Sequence, residues 1–596
     1  MRLLGLKVFL FVAVALAVFS VAGSFTAHQS GSVSAAAVSG AACTSDDSGL
    51  KLPPGFCATI FADGIGHARQ LVVAANGVVY VNTWSGAYYP PNQPAPEGGF
   101  LVALQDKTGA GKADVIERFG ETEETGGHGG TGIGLYNGSL YAESNDRIVR
   151  YALPTDAIVP QGSGETVVSG LPLGGDHPMH PFYISTDGLM YVDVGTATNA
   201  CQFKNRTAGS KGARPCTELE TRGGIWRFDA KKTDQTFSPA ERYATGIRNA
   251  EGFGVDTVHH RVYVTQHGRD QLHANWPALY KTTQEATLPS EEVLLLKQGG
   301  DYGWPECYYD PYQSKLVLAP EYGGDGGKTV GVCASKTGPT AAFPAHWAPN
   351  AMTYYNDKQF PANYRGGLFI AFHGSWDRAP YAQGGYNIVY QGLTPAGTAG
   401  RCEIFADGFA GGATSPGDAQ HRPSGVAVGP DGSLYVSDDV RGRIYKIIYN
   451  GSAQGSTVKA AYRACPSLTA SPGEVMQAQA KPPEGTHPDA GAAPVAPGAT
   501  PAMVALGGRI FHGQVAGAMC TACHGTNGAG TPLGPDLTKS KWLWSDGSLA
   551  GLTKTITTGV MQPKQFRSPM PPNGGTQLTP EQSKAVAAYV WSLSHK

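Results

Sequence analysis

Three observations predict an all-β six-bladed β-propeller followed by a small all-α domain. The chain holds 81 Gly and 42 Pro among 596 residues, a turn-rich composition that favours many short strands. A hairpin-like stretch recurs six times, opened by His67, His128, His177, Arg248, Asn350 and Arg422. A strand pair of this kind cannot bury both its faces alone, so six copies imply six blades stacked around a channel. Beyond residue 500 the pattern changes to apolar residues at helical spacing, which gives the second domain.

The elements follow in chain order. Arg2 and Lys7 precede an apolar run from Val8 to Ala22, the form of an export signal over residues 1–24. Residues 25–49 are Ser/Ala/Gly-rich and read as a flexible lead-in, and residues 50–465 carry the propeller. Its clearest hairpin is GGDHPMHPFYISTDGLMYVDVG, residues 174–195, with alternation through Phe182 and Ile184, an Asp187-Gly188 turn, and a return through Met190, Tyr191 and Val192. The two ends of a hairpin lie together, so Asp176 and His177 should sit beside Gly195 and Thr196. If the hairpins are the inner strands, their polar ends converge at one mouth of the channel. FCATIFADGI near Cys57 is echoed by RCEIFADGF near Cys402, as equivalent positions in the first and last blades would produce. Residues 466–500 are Pro/Ala/Gly-rich without an aromatic, a linker. Residues 501–596 form the helical domain; Thr579-Pro580-Glu581-Gln582 is a capping box, followed by Val586, Tyr589, Val590 and Leu593 on one face.

A net charge of −2 excludes a nucleic-acid partner, because no basic surplus exists to neutralise phosphates. Of ten cysteines, Cys520 and Cys523 belong to a motif treated below; an even number remains, as expected of disulfides in an exported chain. Cys201 with Cys216 and Cys307 with Cys333 are local pairs, each spanning an insertion. The pairing of Cys43, Cys57, Cys402 and Cys465 stays open. No membrane span is expected in the mature chain, which is placed in the periplasm or secreted.

Cys520-Thr521-Ala522-Cys523-His524 is a CxxCH motif: two thiols for the haem vinyl groups and His524 as an axial ligand. With the segment GGRIFHGQ before it, the loop GTPLGPDL after it and the terminal apolar helix, residues 500–596 resemble a class I cytochrome c. The resemblance implies a methionine as the sixth ligand. Met570 in SPMPP matches the family's Met-Pro loop, and Met561 is its alternative.

At the propeller mouth, His177 follows Asp176 directly, and an imidazole held by a carboxylate is the usual general base near neutrality. His180 ranks behind it. Arg248-Asn249, Arg378 in HGSWDR and Arg422 reach the rim from three blades with His267, His373 and His421 nearby, a set suited to a polyanionic ligand. Backbone carbonyls in QHGRD, residues 266–270, suit a hard cation such as Ca²⁺.

Arg248-Asn249-x-x-Gly252, Gln266-His267-Gly268 and GGDYGWP at residues 299–305 together resemble the soluble glucose and sorbosone dehydrogenase family over residues 50–465. Its members are six-bladed quinoproteins that bind pyrroloquinoline quinone (PQQ) with Ca²⁺ at the mouth. The HGSWDR segment and the fused cytochrome are most similar to the sorbosone and pyranose dehydrogenase branch. The resemblance implies Asp176 and His177 as the acid-base pair, Arg248, Asn249 and Arg422 as quinone ligands, and the carbonyls of Gly268 and Arg269 as calcium ligands. Ser424 stands where the glucose enzymes place a second arginine, and HGSWDR replaces their lysine segment, so Arg378 or Trp376 is expected to substitute.

The expected function is therefore PQQ- and Ca²⁺-dependent oxidation of a sugar, an aldose, pyranose or sorbosone-like aldehyde. Electrons leave through the fused haem c to an external acceptor: a cytochrome, an oxidase or the quinone pool. Two alternatives belong to other classes: a calcium-dependent lactonase-type hydrolase with His177 activating water, and a noncatalytic carbohydrate-binding propeller carrying a cytochrome. Loops around Tyr88, Tyr89 and Tyr308 to Tyr312 are expected to select the sugar.

Overall fold

The computed structural model describes residues 47–84, 97–121, 130–451, 463–468 and 494–595, less positions 413, 415, 417, 418, 514, 516, 517, 519, 526, 531–533, 561, 562, 567–569 and 577. The export signal, most of the lead-in and of the linker, Cys43, Tyr88, Tyr89, His128 and Met561 lie outside the described residues.

Six sheets make the six blades of the propeller. The inner two strands of each are the hairpins of the sequence repeat: Leu71–Val73 with Val79–Asn82, Ile133–Tyr136 with Ser139–Ser144, Phe182–Ile184 with Leu189–Val194, Phe253–Asp256 with Arg261–Gln266, Pro349–Tyr355 with Gly367–Phe372, and Pro423–Val428 with Leu434–Asp438. In the third blade Phe182, Tyr183 and Ile184 pair with Val192, Tyr191 and Met190, the two strands of the expected hairpin. The sixth blade takes its outer strand, Phe56–Ala62, from the front of the chain, so the ring closes across residues far apart in sequence. The echo between Cys57 and Cys402 thus marks two outer strands, one in the sixth blade and one in the fifth, where Ala399–Ala406 lies.

Register explains how neighbouring blades hold each other. Tyr80, Tyr141, Tyr191, Tyr263, Phe369 and Tyr435 occupy one position on the second strand of each blade, and all are buried. Three of these tyrosines donate to carbonyls of the following blade: Tyr80 to Ile158 and Tyr141 to Ala230 at 2.8 Å, and Tyr263 to Gly397 at 3.2 Å. At these three positions a large ring with a polar tip packs between blades and satisfies a backbone acceptor. Two residues further on, Asn82 donates to the carbonyls of Gly132 and Glu143, Glu143 accepts from the amides of Gly130, Gly132 and His180, and Ser437 donates to the Arg69 carbonyl.

Disulfides join Cys201 to Cys216, Cys307 to Cys333 and Cys402 to Cys465. The first two are the local pairs read from spacing, and the third resolves part of the open set. Just beside it, Glu403 bridges Ala464, and the Ile404 amide donates to the Arg463 carbonyl at 2.8 Å. The tail is thereby pinned to the outer strand of the fifth blade.

Helices Pro501–Phe511, Cys520–His524, Leu549–Thr558 and Pro580–Leu593 form the second domain around Val504, Ile510, Phe511, Leu552, Val586, Tyr589 and Leu593. The last helix is capped as predicted: Thr579 Oγ1 accepts from the Gln582 amide at 3.2 Å, and the Gln582 side chain accepts from the Thr579 amide at 2.9 Å. The first and last helices cross at Gly507, where a Cβ would lie 1.9 Å from the Ala585 carbonyl oxygen, so only glycine permits the contact. No helix among the described residues is long and apolar enough to cross a membrane.

Candidate functional site

Hairpin ends from all six blades line the channel. The residue two positions before the strand-pairing position shared by Leu71, Ile133, Phe182, Phe253, Met352 and Val426 is, in turn, Arg69, Thr131, His180, Glu251, Asn350 and Ser424. All six are polar and buried. Arg69 organises this ring: its guanidinium donates to Glu251 and to Asp439, each at 2.9 Å, and to Thr131 at 3.2 Å.

The mouth carries two further groups of residues. On one side His177, Thr196, Arg248, Asn249 and His267 form a continuous chain. The His177 amide donates to the Thr196 carbonyl, the Thr196 amide to the Arg248 carbonyl and the His267 amide to the Asn249 carbonyl, at 2.9 to 3.1 Å. Gly195 makes this closeness possible, since a Cβ there would meet His177 Cβ at 2.6 Å and Asn249 Oδ1 at 2.9 Å. The predicted meeting of His177 with Gly195 and Thr196 is what the chain adopts. On the other side His373 Nε2 lies 2.9 and 3.0 Å from the Asp439 carboxylate, and Arg422 donates to the carbonyls of His373 and Gly374 at 3.0 and 2.9 Å. Asn249 contacts Glu251 at 3.4 Å, and Glu251 holds Arg69, so both sides join through the ring.

The sequence expectation for the histidine's partner needs correction. His177 Nδ1 lies 3.0 Å from both the carbonyl and the hydroxyl of Thr196. Asp176 instead accepts from Arg206 at 2.9 Å and from Asn205 at 3.2 and 3.3 Å. Asp176 lies in a bend before the strand and is turned to Arg206, so adjacency in sequence does not pair it with the imidazole. Arg206 comes from the loop closed by Cys201–Cys216, which the repeat did not reveal. The same Arg206 and Arg248 both bind Asp270 at 3.0 Å.

Burial and neighbouring cations set the charge states. Burial first, then Arg248, His267 and Arg206, hold His177 well below its ordinary range, so its ring is neutral. His373 is pushed down to about 3 by burial and then Arg422, although it touches Asp439; it too is neutral and donates its Nε2–H. Asp439 is held well below the carboxylate range: burial opposes ionisation, but His373, His67 and Arg69 outweigh it. Asp270, His346 and Asp377 bring ligand atoms within 4.8 Å of one another. There His346 Nε2 faces the Glu285 carbonyl at 2.8 Å, and although burial opposes it, the two carboxylates raise the ring to about 9. That cluster is an imidazolium between two carboxylates, and Asp270 also pairs with Arg206 and Arg248, so cations already fill the space a metal would take.

The remaining expected residues are placed as follows. Arg378 is buried, with burial lowering it to about 10, and donates to the carbonyls of Ala345 and Ala382 at 2.7 and 3.4 Å. Trp376 is half-buried two residues earlier, and His421 pairs with Asp438 at 2.8 Å. His180 lies in the channel ring against Glu143 at 3.0 Å. Arg69, Glu251 and Asp439 were missed, the strand register being the signal for the first two; Thr196 was placed beside His177 but given no role.

The donor set suits a planar polycarboxylate quinone: Arg248 and Arg422 bring guanidinium groups to the rim, and His67 Nδ1 and Ser424 Oγ are buried polar atoms without a hydrogen-bond partner among the described residues. A cation at Gly268 and Arg269 does not fit the site as formed, because the Gly268 carbonyl accepts from the Arg248 guanidinium at 2.9 Å. In the helical domain His524 is buried, and its Nδ1 lies 2.9 Å from the Pro535 carbonyl, which fixes the hydrogen on Nδ1 and leaves Nε2 for iron. Met570 packs against the domain core beside a bridge to Val560.

A family profile described as TrAA12-like matches residues 50–450, and one described as Cytochrome c matches residues 507–594. The fold is similar to a Trichoderma reesei structure of Carbohydrate-Active Enzymes Family AA12, with TM-score 0.52 and 18% identity over 67% of this chain and 98% of that one. It is also similar to the PQQ domain of pyranose dehydrogenase from Coprinopsis cinerea, with TM-score 0.51 and 19% identity over 67% and 97%. The helical domain is 39% identical over 79 residues to the cbb3-type cytochrome c oxidase subunit FixP of Rhizobium etli, which is 13% of this chain and 27% of that protein. An uncharacterised Borreliella burgdorferi protein is 27% identical over 217 residues, 35% of this chain and 49% of that one, so the chain spans under half of either relative. Through the match over its propeller, the chain belongs to the TrAA12-like family and carries a cytochrome c domain behind it.

Proposed function

We propose that the chain is an exported, PQQ-dependent sugar dehydrogenase that passes electrons to its own haem c and on to an external acceptor. One observation carries this reading: a cation-lined propeller mouth with an oriented, neutral imidazole shares a chain with a haem-attachment motif.

His177 presents Nε2 as the base that takes the proton of a sugar hydroxyl or hydrated aldehyde. Bound PQQ supplies the two-electron hydride acceptor. Arg248, Asn249 and Arg422 would hold its carboxylates and carbonyls, the two guanidiniums exchanging backbone carbonyls for the bound group. The expected Ca²⁺ at the carbonyls of Gly268 and Arg269 forms no part of the proposal, because the Gly268 carbonyl already accepts from the Arg248 guanidinium. Cys520 and Cys523 would hold the haem through their thiols, and His524 Nε2 and the Met570 thioether would ligate its iron; a thioether ligand raises the potential and suits an electron acceptor.

The test uses haem-loaded full-length protein, PQQ with and without Ca²⁺, and a panel of aldoses, pyranoses and sugar aldehydes. Haem reduction that depends on PQQ and on sugar supports the proposal. Lactone hydrolysis without haem reduction, or sugar binding without either, overturns it.

A further inference from the structure

We infer that Thr196 is the positioning residue that fixes the tautomer of His177, a role the sequence pattern assigns to Asp176. The inference rests on the proposed function only in calling His177 the base; the tautomer itself follows from hydrogen-bond chemistry.

His177 Nδ1 stands 3.0 Å from the Thr196 carbonyl oxygen. A carbonyl can only accept, so Nδ1 carries the hydrogen and Nε2 keeps its lone pair. The Thr196 hydroxyl, also 3.0 Å from Nδ1, donates its own hydrogen to the Thr198 carbonyl at 2.8 Å. Its remaining lone pairs then face Nδ1–H, so both Thr196 oxygens favour the same tautomer. The backbone that carries Thr196 is itself fixed. Glu218 accepts from the amides of Ala197 and Thr198 and, at 2.7 Å, from the Thr198 hydroxyl, while the Thr196 amide is held by Arg248. Glu218 is set by the same insertion as Arg206, just past Cys216.

Two neutral oxygens orient a ring differently from a carboxylate. They fix which nitrogen is basic without stabilising the imidazolium by a full negative charge. The charged groups that face His177 from the surrounding elements are Arg248, His267 and Arg206, with Asp176 turned to Arg206 and Glu218 bonded behind Thr196. The base therefore stays neutral to lower pH than an Asp–His pair would.

Histidine ¹⁵N spectra of full-length, haem-reduced protein without quinone or metal provide the first arm, with His177→Gln used for assignment. The expected pattern is a protonated Nδ1 and an unprotonated Nε2 for His177 from pH 8 to below the ordinary histidine range, unchanged in Asp176→Asn. A protonated Nε2, an imidazolium near neutrality, or a pattern that changes in Asp176→Asn overturns the inference. In the second arm, Thr196→Val lowers kcat about 5- to 10-fold with KM nearly unchanged, the loss of one acceptor, and Thr196→Ser restores it. Equal loss in the Ser and Val variants overturns it. If the spectra hold and no sugar is turned over, the tautomer stands and the dehydrogenase reading fails.

Discussion

Arg69→Met tests whether the channel ring is held by one guanidinium. The side chain is 4% exposed and bridges Glu251 and Asp439, themselves 6% and 5% exposed, at 2.9 Å each. Removing one partner of a buried ion pair leaves an uncompensated charge and costs about 3–5 kcal/mol. Asp439 keeps His373 at 2.9 and 3.0 Å, whereas Glu251 keeps a 3.4 Å contact from Asn249. The loss therefore falls mostly on Glu251, and about 3 kcal/mol is the expected value. Urea unfolding of the propeller, followed by tryptophan fluorescence while the haem absorbance reports the second domain, measures it. Glu251→Gln in the Arg69→Met background should recover about half, because the carboxylate left behind carries much of the cost. A single variant within about 1 kcal/mol of the parent, or a double variant no better than the single, refutes the reasoning.

Other outcomes follow from the same geometry. His177→Ala should lower kcat by about 10²- to 10⁴-fold while PQQ still binds, as titrated by its absorbance. Burial holds the Glu292 carboxyl up at about 8 against an ordinary 4.5. The native state then keeps a proton that the unfolded chain loses, so stability declines as pH rises through that window. Glu292→Gln should flatten the decline, by up to about 4 kcal/mol at pH 8 in denaturant titrations. Cys402 and Cys465 close a loop with sequence separation 63, so Cys402→Ser should cost about 4 kcal/mol by the chain-entropy relation, read as a lower urea midpoint. Met570→Ala should lower the haem midpoint potential in a spectroelectrochemical titration; an unchanged potential would remove Met570 as a ligand.

The blades were legible because alternation and Gly turns are local: Phe182, Ile184 and the Asp187-Gly188 turn specify their hairpin without help from the rest of the chain. The capping box at Thr579 was legible for the same reason. Ring closure was only half legible. The Cys57 and Cys402 segments look alike because both are outer strands, but which blade each completes depends on the whole circuit. The channel ring was hidden because its six positions hold six residue types, so register identifies it and residue identity does not. Asp176 was misread through adjacency, since its partner Arg206 arrives on an insertion that follows no period. The rim residues Arg248, Asn249, His267 and Arg422 were found because the hairpin ends that carry them were found first.

The tail of the propeller is stapled at Cys465 to the fifth blade, while the seam that makes the circle lies in the sixth. A pull on the tether from the haem-bearing domain is thus delivered to a blade built from consecutive strands, through a covalent bond. The strand that closes the circle is relieved of that load.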